Sequence, residues 1–450
     1  MKAVVRQWAL VIVTLLGTEL SFADLTAFVN VNVLPMSSDT VIAAQTVLVE
    51  DGIISAIGSV DEVGIPKGAN AIDGTDRYLM PGLGEMHAHV PDADSSELDR
   101  YFTLFVANGI TTVRGMLGRP SHLALRQQLL DGKRFGPRLI TSGPSLNGRS
   151  VAGPADARRQ VREQAALGYD FIKVHPGLSA AEFTALAETA NELGIPFAGH
   201  VPVAAGVATA LRLKMRAIDH LDGYFVALLP PGSHRSGGYG GFFDVMLANE
   251  LELERIGDMV SATAAAGTWN VPTEVLVEQL VSAVPVEDLR NRHEMKYMPK
   301  QTVHDWAASK EAQIDERGFD ASIAALAIEL RRKLILALHN SGARLLLGSD
   351  APQIFNVPGF SAHRELDVFV ASGLTPFEAL QTGTAAVAEF LGTNAGYVQV
   401  GKDADLVLLD ANPLGDIQNS RRIHGVMLRG VWYSGKTLEE RLEKFDRGDG

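Results

Sequence analysis

The chain has 450 residues, 46% apolar and 21% charged, with 53 acidic against 40 basic side chains and a formal net charge of -13. That balance gives solubility and offers no basic footprint for nucleic acid. The chain contains no cysteine, which excludes disulfides, a thiol nucleophile and a lipid-modified N-terminal cysteine, and leaves only nitrogen and oxygen donors for a metal.

Residues 1–23 read as an export signal. Lys2 and Arg6 supply the positive end, Ala9 to Leu16 the apolar segment, and Ser21-Phe22-Ala23 the small-x-small cleavage pattern. The apolar segment falls well short of the roughly 20 residues a spanning helix needs, so a periplasmic or secreted protein with no stable membrane span is expected. From Leu25 to Leu79 the chain shows short β-rich runs, with Asp51-Gly52 marking a hairpin. The same character returns in "GYVQVGKDADLVLLDANPL" and "IHGVMLRGVWYSGK". Residues 24–79 and 394–450 are therefore expected to build one small β-sandwich domain from both chain ends.

Residues 80–393 alternate differently. Short apolar runs that end in polar residues are followed by stretches rich in Ala, Leu, Glu and Arg. The runs are "MPGLGEMHAH", "GITTVRG", "PRLITSG", "DFIKVH", "IPFAGH", "RAIDH", "TWNVPT" and "RLLLGSD". Such alternation implies parallel βαβ units, and eight of them close a (β/α)8 TIM-like barrel; an open doubly wound sheet is the alternative. "GSHRSGGYGG" reads as a flexible loop near the active face.

Chemistry-bearing residues fall at the ends of these runs. His87 and His89 are two apart, so a strand would aim both imidazoles to one side, where they can grip a metal. Lys173 lies among Phe171, Ile172 and Val174, and a buried ammonium must neutralise, pair with an acid, or be modified. A neutral amine can add CO2 to give a carbamate, which acts as a bridging carboxylate. His200, His220 and Asp350 each close an apolar run, where a barrel's catalytic face lies.

That ordered set resembles the amidohydrolase superfamily, in its two-metal branch with a carboxylated lysine, over nearly the whole mature chain. "GHVP", "IDHLDG", "LLGSDAP", "ELDVFVASGLTPFEALQTGTAAVAEFLG" and "GKDADLVLLDANPL" carry the likeness, the last two resembling prolidase-like members that cleave dipeptides and related amides. The resemblance implies two divalent cations, zinc being suited to such ligands. It implies His87, His89 and Asp350 on the more buried ion, His200 and His220 on the other, and a CO2-derived carbamate on Lys173 between them. It further implies hydrolysis of a dipeptide-like or N-acyl amino-acid amide by a metal-bridging hydroxide, with Asp350 as proton shuttle, in a homo-oligomer.

Departures from the family pattern bear on the substrate. Gly115 follows Arg114 where relatives often carry Asp, and "SGPSLNGRSVAG" has Asn147 and Arg149 but no histidine. Four residues are candidate substrate contacts. Arg149 could meet a carboxylate or be a solvated loop residue, and His175 shares the strand face of Lys173. Tyr224 is four residues after His220, and His363 opens the helix after the Asp350 loop. Two enzymatic alternatives use overlapping ligands: a lactonase or phosphotriesterase on the same two metals, and a one-metal deaminase. Deaminases typically add a Glu three residues after the strand-five histidine, whereas His200 is followed by Val201-Pro202-Val203. A decayed metal-binding protein is the non-enzymatic alternative, against which the complete ligand set argues.

Overall fold

The structure is a computed structural model that describes residues 25–233 and 240–446. The expected export signal at 1–23 and residues 234–239 of the "GSHRSGGYGG" loop lie outside the described residues. No helix among the described residues is long and apolar enough to cross a membrane.

The β-rich ends pair with each other. From the N-terminal part come β1 (Leu25–Val33), β2 (Ile42–Glu50), β3 (Ile53–Ser59), β4 (Asn70–Asp73) and β5 (Tyr78–Pro81). The predicted hairpin is present: Glu50 pairs with Ile53, and Asp51 and Gly52 both take positive φ, 49° and 78°, as a two-residue turn of matching twist requires.

Seven strands form the middle of the chain: β6 (Leu83–Ala88), β7 (Ile110–Gly115), β8 (Arg138–Thr141), β9 (Ile172–Val174), β10 (Phe197–Gly199), β11 (Ala217–Asp219) and β12 (Trp269–Val271). The C-terminal part adds β13 (Leu406–Leu409), β14 (Ile423–Leu428) and β15 (Val431–Ser434).

The two ends share an eight-stranded sheet in the order β15-β14-β13-β5-β1-β2-β3, with β4 also on β1. The expected sandwich is thus, in its hydrogen bonding, one continuous sheet among the described residues. The reason lies in β1: it pairs with β4 through Thr26–Val29 and with β5 through Asn32–Val33, with register shifts on its β2 side. Phe28, Val31, Val47, Leu79, Leu406 and Met427 form this region's apolar core.

The middle strands are parallel, in the orders β6-β7-β8 and β12-β11-β10-β9. Every residue of β6, β7, β9, β10, β11 and β12 is buried, as strands covered on both faces must be. Helices separate them. One of these, Ala180–Leu193, opens on a Ser179–Glu182 capping box and ends at Gly194, whose φ of 68° lets the chain leave the helix.

Seven of the eight predicted runs are strands. The eighth, at 344–350, carries only isolated pairing: Leu345 bridges Asn270, and Met86 N donates to Leu347 O at 2.8 Å. Asp350 N likewise donates to His87 O at 2.8 Å, and Ala351 bridges Ala88. Parallel bridges Ser142–Phe171 and Leu146–Val174 carry pairing from the β8 side to β9.

Candidate metal centre

His87 lies within β6 and His89 just beyond it; Lys173 is the middle residue of β9. His200 and His220 directly follow β10 and β11, and Asp350 ends the eighth run. His87, His220 and Asp350 are buried, with ligand atoms all within 4.8 Å of one another. His89 Nε2 is 2.7 Å from Asp350 Oδ1, and the His220 ring centroid is 4.5 Å from that of His87 and 4.7 Å from that of His200. Lys173 is fully buried, and its charge acts on His87, His220 and Asp350. The structure therefore brings together all six residues singled out in the sequence.

The electrostatics fit cation binding. Burial holds His87 and His220 far below the usual histidine range, and Lys173 adds to this in both. Burial also pulls the Lys173 amine down, opposed by Asp219 and Asp350. Burial alone would raise Asp350, but His87 and His89 outweigh it and keep the carboxyl below its ordinary range. Neutral imidazoles, an amine eased towards neutrality and an ionised carboxylate are the protonation states a metal demands of such ligands.

Neighbouring oxygens orient the rings. His200 Nδ1 is 3.2 Å from Asp222 Oδ2, and His220 Nδ1 is 2.7 Å from Thr273 Oγ1. His87 Nδ1 lies 3.2 Å from Asp219 Oδ2, yet it is not aligned for a hydrogen bond and has no other partner among the described residues. Glu85, also buried, accepts from Ser349 N at 2.7 Å, Ser349 Oγ at 2.6 Å and His87 N at 3.2 Å. It ties β6 to the eighth run and so fixes His87 relative to Asp350; burial pushes its carboxyl up to about 7.

The expected substrate contacts divide. His175 lies beside the cluster, its ring centroid 5.0 Å from that of His200 and its Nδ1 2.8 Å from Ser145 Oγ; burial drives it down to about 3. Arg149 is exposed on the loop after β8. Tyr224 is a correction: Gly223 (φ 78°) starts a short helix that turns this side chain inward, and its hydroxyl is taken by Asn270 Oδ1 at 2.8 Å and Thr263 Oγ1 at 3.2 Å. His363 is a second correction. It is buried, with Nδ1 2.9 Å from Ser420 Oγ and Nε2 3.0 Å from Asn108 O, so no nitrogen remains for a substrate.

Three neighbours were missed in the sequence. Asp219, fully buried, lies against His87 and Lys173. Phe243 stacks on the His220 ring at 4.5 Å and 18°. Gln353 Nε2 is 3.0 Å from both His89 Nε2 and Asp350 Oδ1. An acid inside the apolar run "RAIDH" was the available signal for Asp219; the other two sit in loops without one.

Parallel strands carrying histidine, lysine and aspartate donors define a candidate metal centre, and comparison with known proteins gives the family. The profile of the Amidohydrolase family matches residues 78–433, well over half of the chain. The chain belongs to the amidohydrolase family, and it is a hydrolase.

Its relatives are distant. Ochratoxinase of Aspergillus niger is 24% identical over 428 residues, covering 87% of this chain and 82% of its own. Among solved structures, bottromycin amidohydrolase superposes with a TM-score of 0.72 at 23% identity, covering 94% of this chain and 91% of that one. A Xaa-Pro dipeptidase with bound methionine in its active site gives 0.65 at 20% identity, covering 91% and 100%.

Proposed function

We propose that the protein is a two-cation hydrolase of a dipeptide-like or N-acyl amino-acid amide. The observation that carries this is the meeting of six separate donors along neighbouring parallel runs, with His87 and His220 held neutral and Asp350 held ionised. His87, His89 and Asp350 would hold one cation, His200 and His220 the other, with carboxylated Lys173 between them and zinc the preferred ion. Lys173 reaches that form when its ammonium releases two protons and its nitrogen bonds the carbon of CO2. When bound, such cations polarise a carbonyl and acidify water.

The chain's own groups do the rest. Asp350, ionised and 2.7 Å from His89, can take a proton and return it to the leaving nitrogen. His175 flanks the His200 side of the cluster, where it would meet a bound substrate.

The same reading takes 80–393 as a closed eight-stranded barrel and 24–79 with 394–450 as the attached sheet domain, acting after export. The bridges Ser142–Phe171, Asn270–Leu345 and Ala88–Ala351 support closure, because they link each parallel sheet to the next element around a ring. Names such as dipeptidase and amidohydrolase among the similar structures support an amide substrate.

The test is a panel assayed on the zinc-loaded full chain: dipeptides including those ending in proline, N-acyl amino acids, lactones and phosphotriesters. Turnover of amides above the other classes is expected. Turnover of lactones or phosphotriesters with inert amides would overturn the assignment.

A further inference from the structure

Asp219 is fully buried one residue before His220, and none of the roles assigned above uses it. Its Oδ2 lies 3.2 Å from His87 Nδ1 and 3.3 Å from Lys173 Nζ, while Oδ1 accepts from Arg114 Nη2 at 3.0 Å. Arg114 is itself 1% exposed and donates from Nε to Met86 O at 2.6 Å, next to His87. The rings of Phe171 and Phe390 lie 5.4 and 5.2 Å from its guanidinium carbon. One carboxylate thus touches β6, β7 and β9 from β11, against two members of the donor cluster.

We propose that Asp219 is a positioning residue that holds the nitrogen of carboxylated Lys173 and the Nδ1 of His87, with Arg114 balancing its charge. This rests on the two-cation reading above. A carbamate nitrogen keeps one N–H, from Lys–NH3+ + CO2 → Lys–NH–COO− + 2 H+. With that N–H given to Asp219 Oδ2, the new carboxylate points away from Asp219 and towards the donors. The same oxygen lies 3.2 Å from His87 Nδ1, and a small rotation of that ring on metal binding would align the pair and fix the tautomer that leaves Nε2 for a metal.

A carboxylate offers about four lone-pair sites, enough for Arg114, His87 and Lys173 together. Carboxylation also turns Lys173 from a cation into an anion. Arg114 is the group that keeps Asp219 paired after that change.

The test compares Asp219→Asn, Asp219→Glu and the double variant Arg114→Met/Asp219→Asn in the full chain supplied with zinc and 13C-bicarbonate. Carbamate is read by 13C NMR and zinc per chain by elemental analysis. Asn keeps one acceptor and adds a donor facing two others, so carbamate occupancy and zinc affinity should fall about 10–100-fold. Glu should restore part of both.

The double variant removes the unpaired guanidinium and keeps the test intact if Asp219→Asn alone does not fold. It should stay deficient. Wild-type carbamate and zinc affinity in the double variant would overturn the proposal, since Asp219 would then serve only to neutralise Arg114. A wild-type chain with neither carbamate nor a second zinc overturns the two-cation reading as well, which separates the two failures.

Discussion

His220 and His363 are both buried histidines pushed far down by desolvation, but the regions that hold them differ in what faces the ring nitrogens. At the seam between the helix Phe360–Ser372 and the turn Ile417–Arg421, both nitrogens of His363 are answered, by Ser420 Oγ and Asn108 O. At the strand ends, His220 has Thr273 beside Nδ1 while its ring crowds those of His87 and His200. There the imidazoles of His87, His89 and His220 converge on one carboxylate, Asp350, as donors to a shared cation would. A depressed pKa therefore does not distinguish a ligand from a structural histidine. What the ring nitrogens converge on does.

The contrast can be broken at several points. The largest effect should come from Asp350→Asn, which removes the proposed proton acceptor: kcat/KM on the amide found by the panel should fall about 1000-fold. His363→Gln should leave it within a few-fold. A similar loss in both would erase the difference between the regions.

Next, His220→Ala should lose zinc, read by elemental analysis, while keeping most of its stability. His363→Ala should keep its zinc but unfold about 2–3 kcal/mol more easily in denaturant titration, because two hydrogen-bond partners lose their mate.

The pH dependence sharpens the structural side. His363 titrates at about 3 when folded and near about 6.5 when unfolded, so between those values the unfolded chain binds the extra proton. Its contribution to stability is complete above about 6.5 and is lost as pH falls towards about 3. Replacing it by Phe should make the stability–pH curve shallower in that window, by up to about 1.4 kcal/mol per pH unit. Equal slopes would show that His363 is not held neutral.

The smallest expected effect is at Gln353, whose amide bridges His89 and Asp350. Gln353→Ala should lower kcat by about tenfold or less with little change in unfolding temperature.

Most of the donor set was legible in the sequence because His87 with His89, His200, His220 and Asp350 close apolar runs, while Lys173 stood out as a charge inside one. The β-rich character of both chain ends was legible too, and strands from both share one sheet. Asp219 was not, for a definite reason. Strict alternation would place Asp219 and His220 on opposite faces. His220 and Leu221 instead take positive φ, 64° and 53°, and the chain turns so that both acid and imidazole approach His87.

Tyr224 misled for a related reason, since Gly223 starts a helical turn that spacing from His220 does not reveal. Phe243, with φ of 50°, owes its place over His220 to an irregular segment whose path no periodicity describes. The single continuous sheet depends on a strand that holds two partners along one side, which is a matter of register rather than composition.

The most direct measurement is an anomalous difference map, at the zinc absorption edge, from crystals of the zinc-loaded chain. Two peaks about 3.5–4 Å apart are expected, one against His87, His89 and Asp350 and the other against His200 and His220, with Lys173 between them. A single peak, or none at these side chains, would contradict the account.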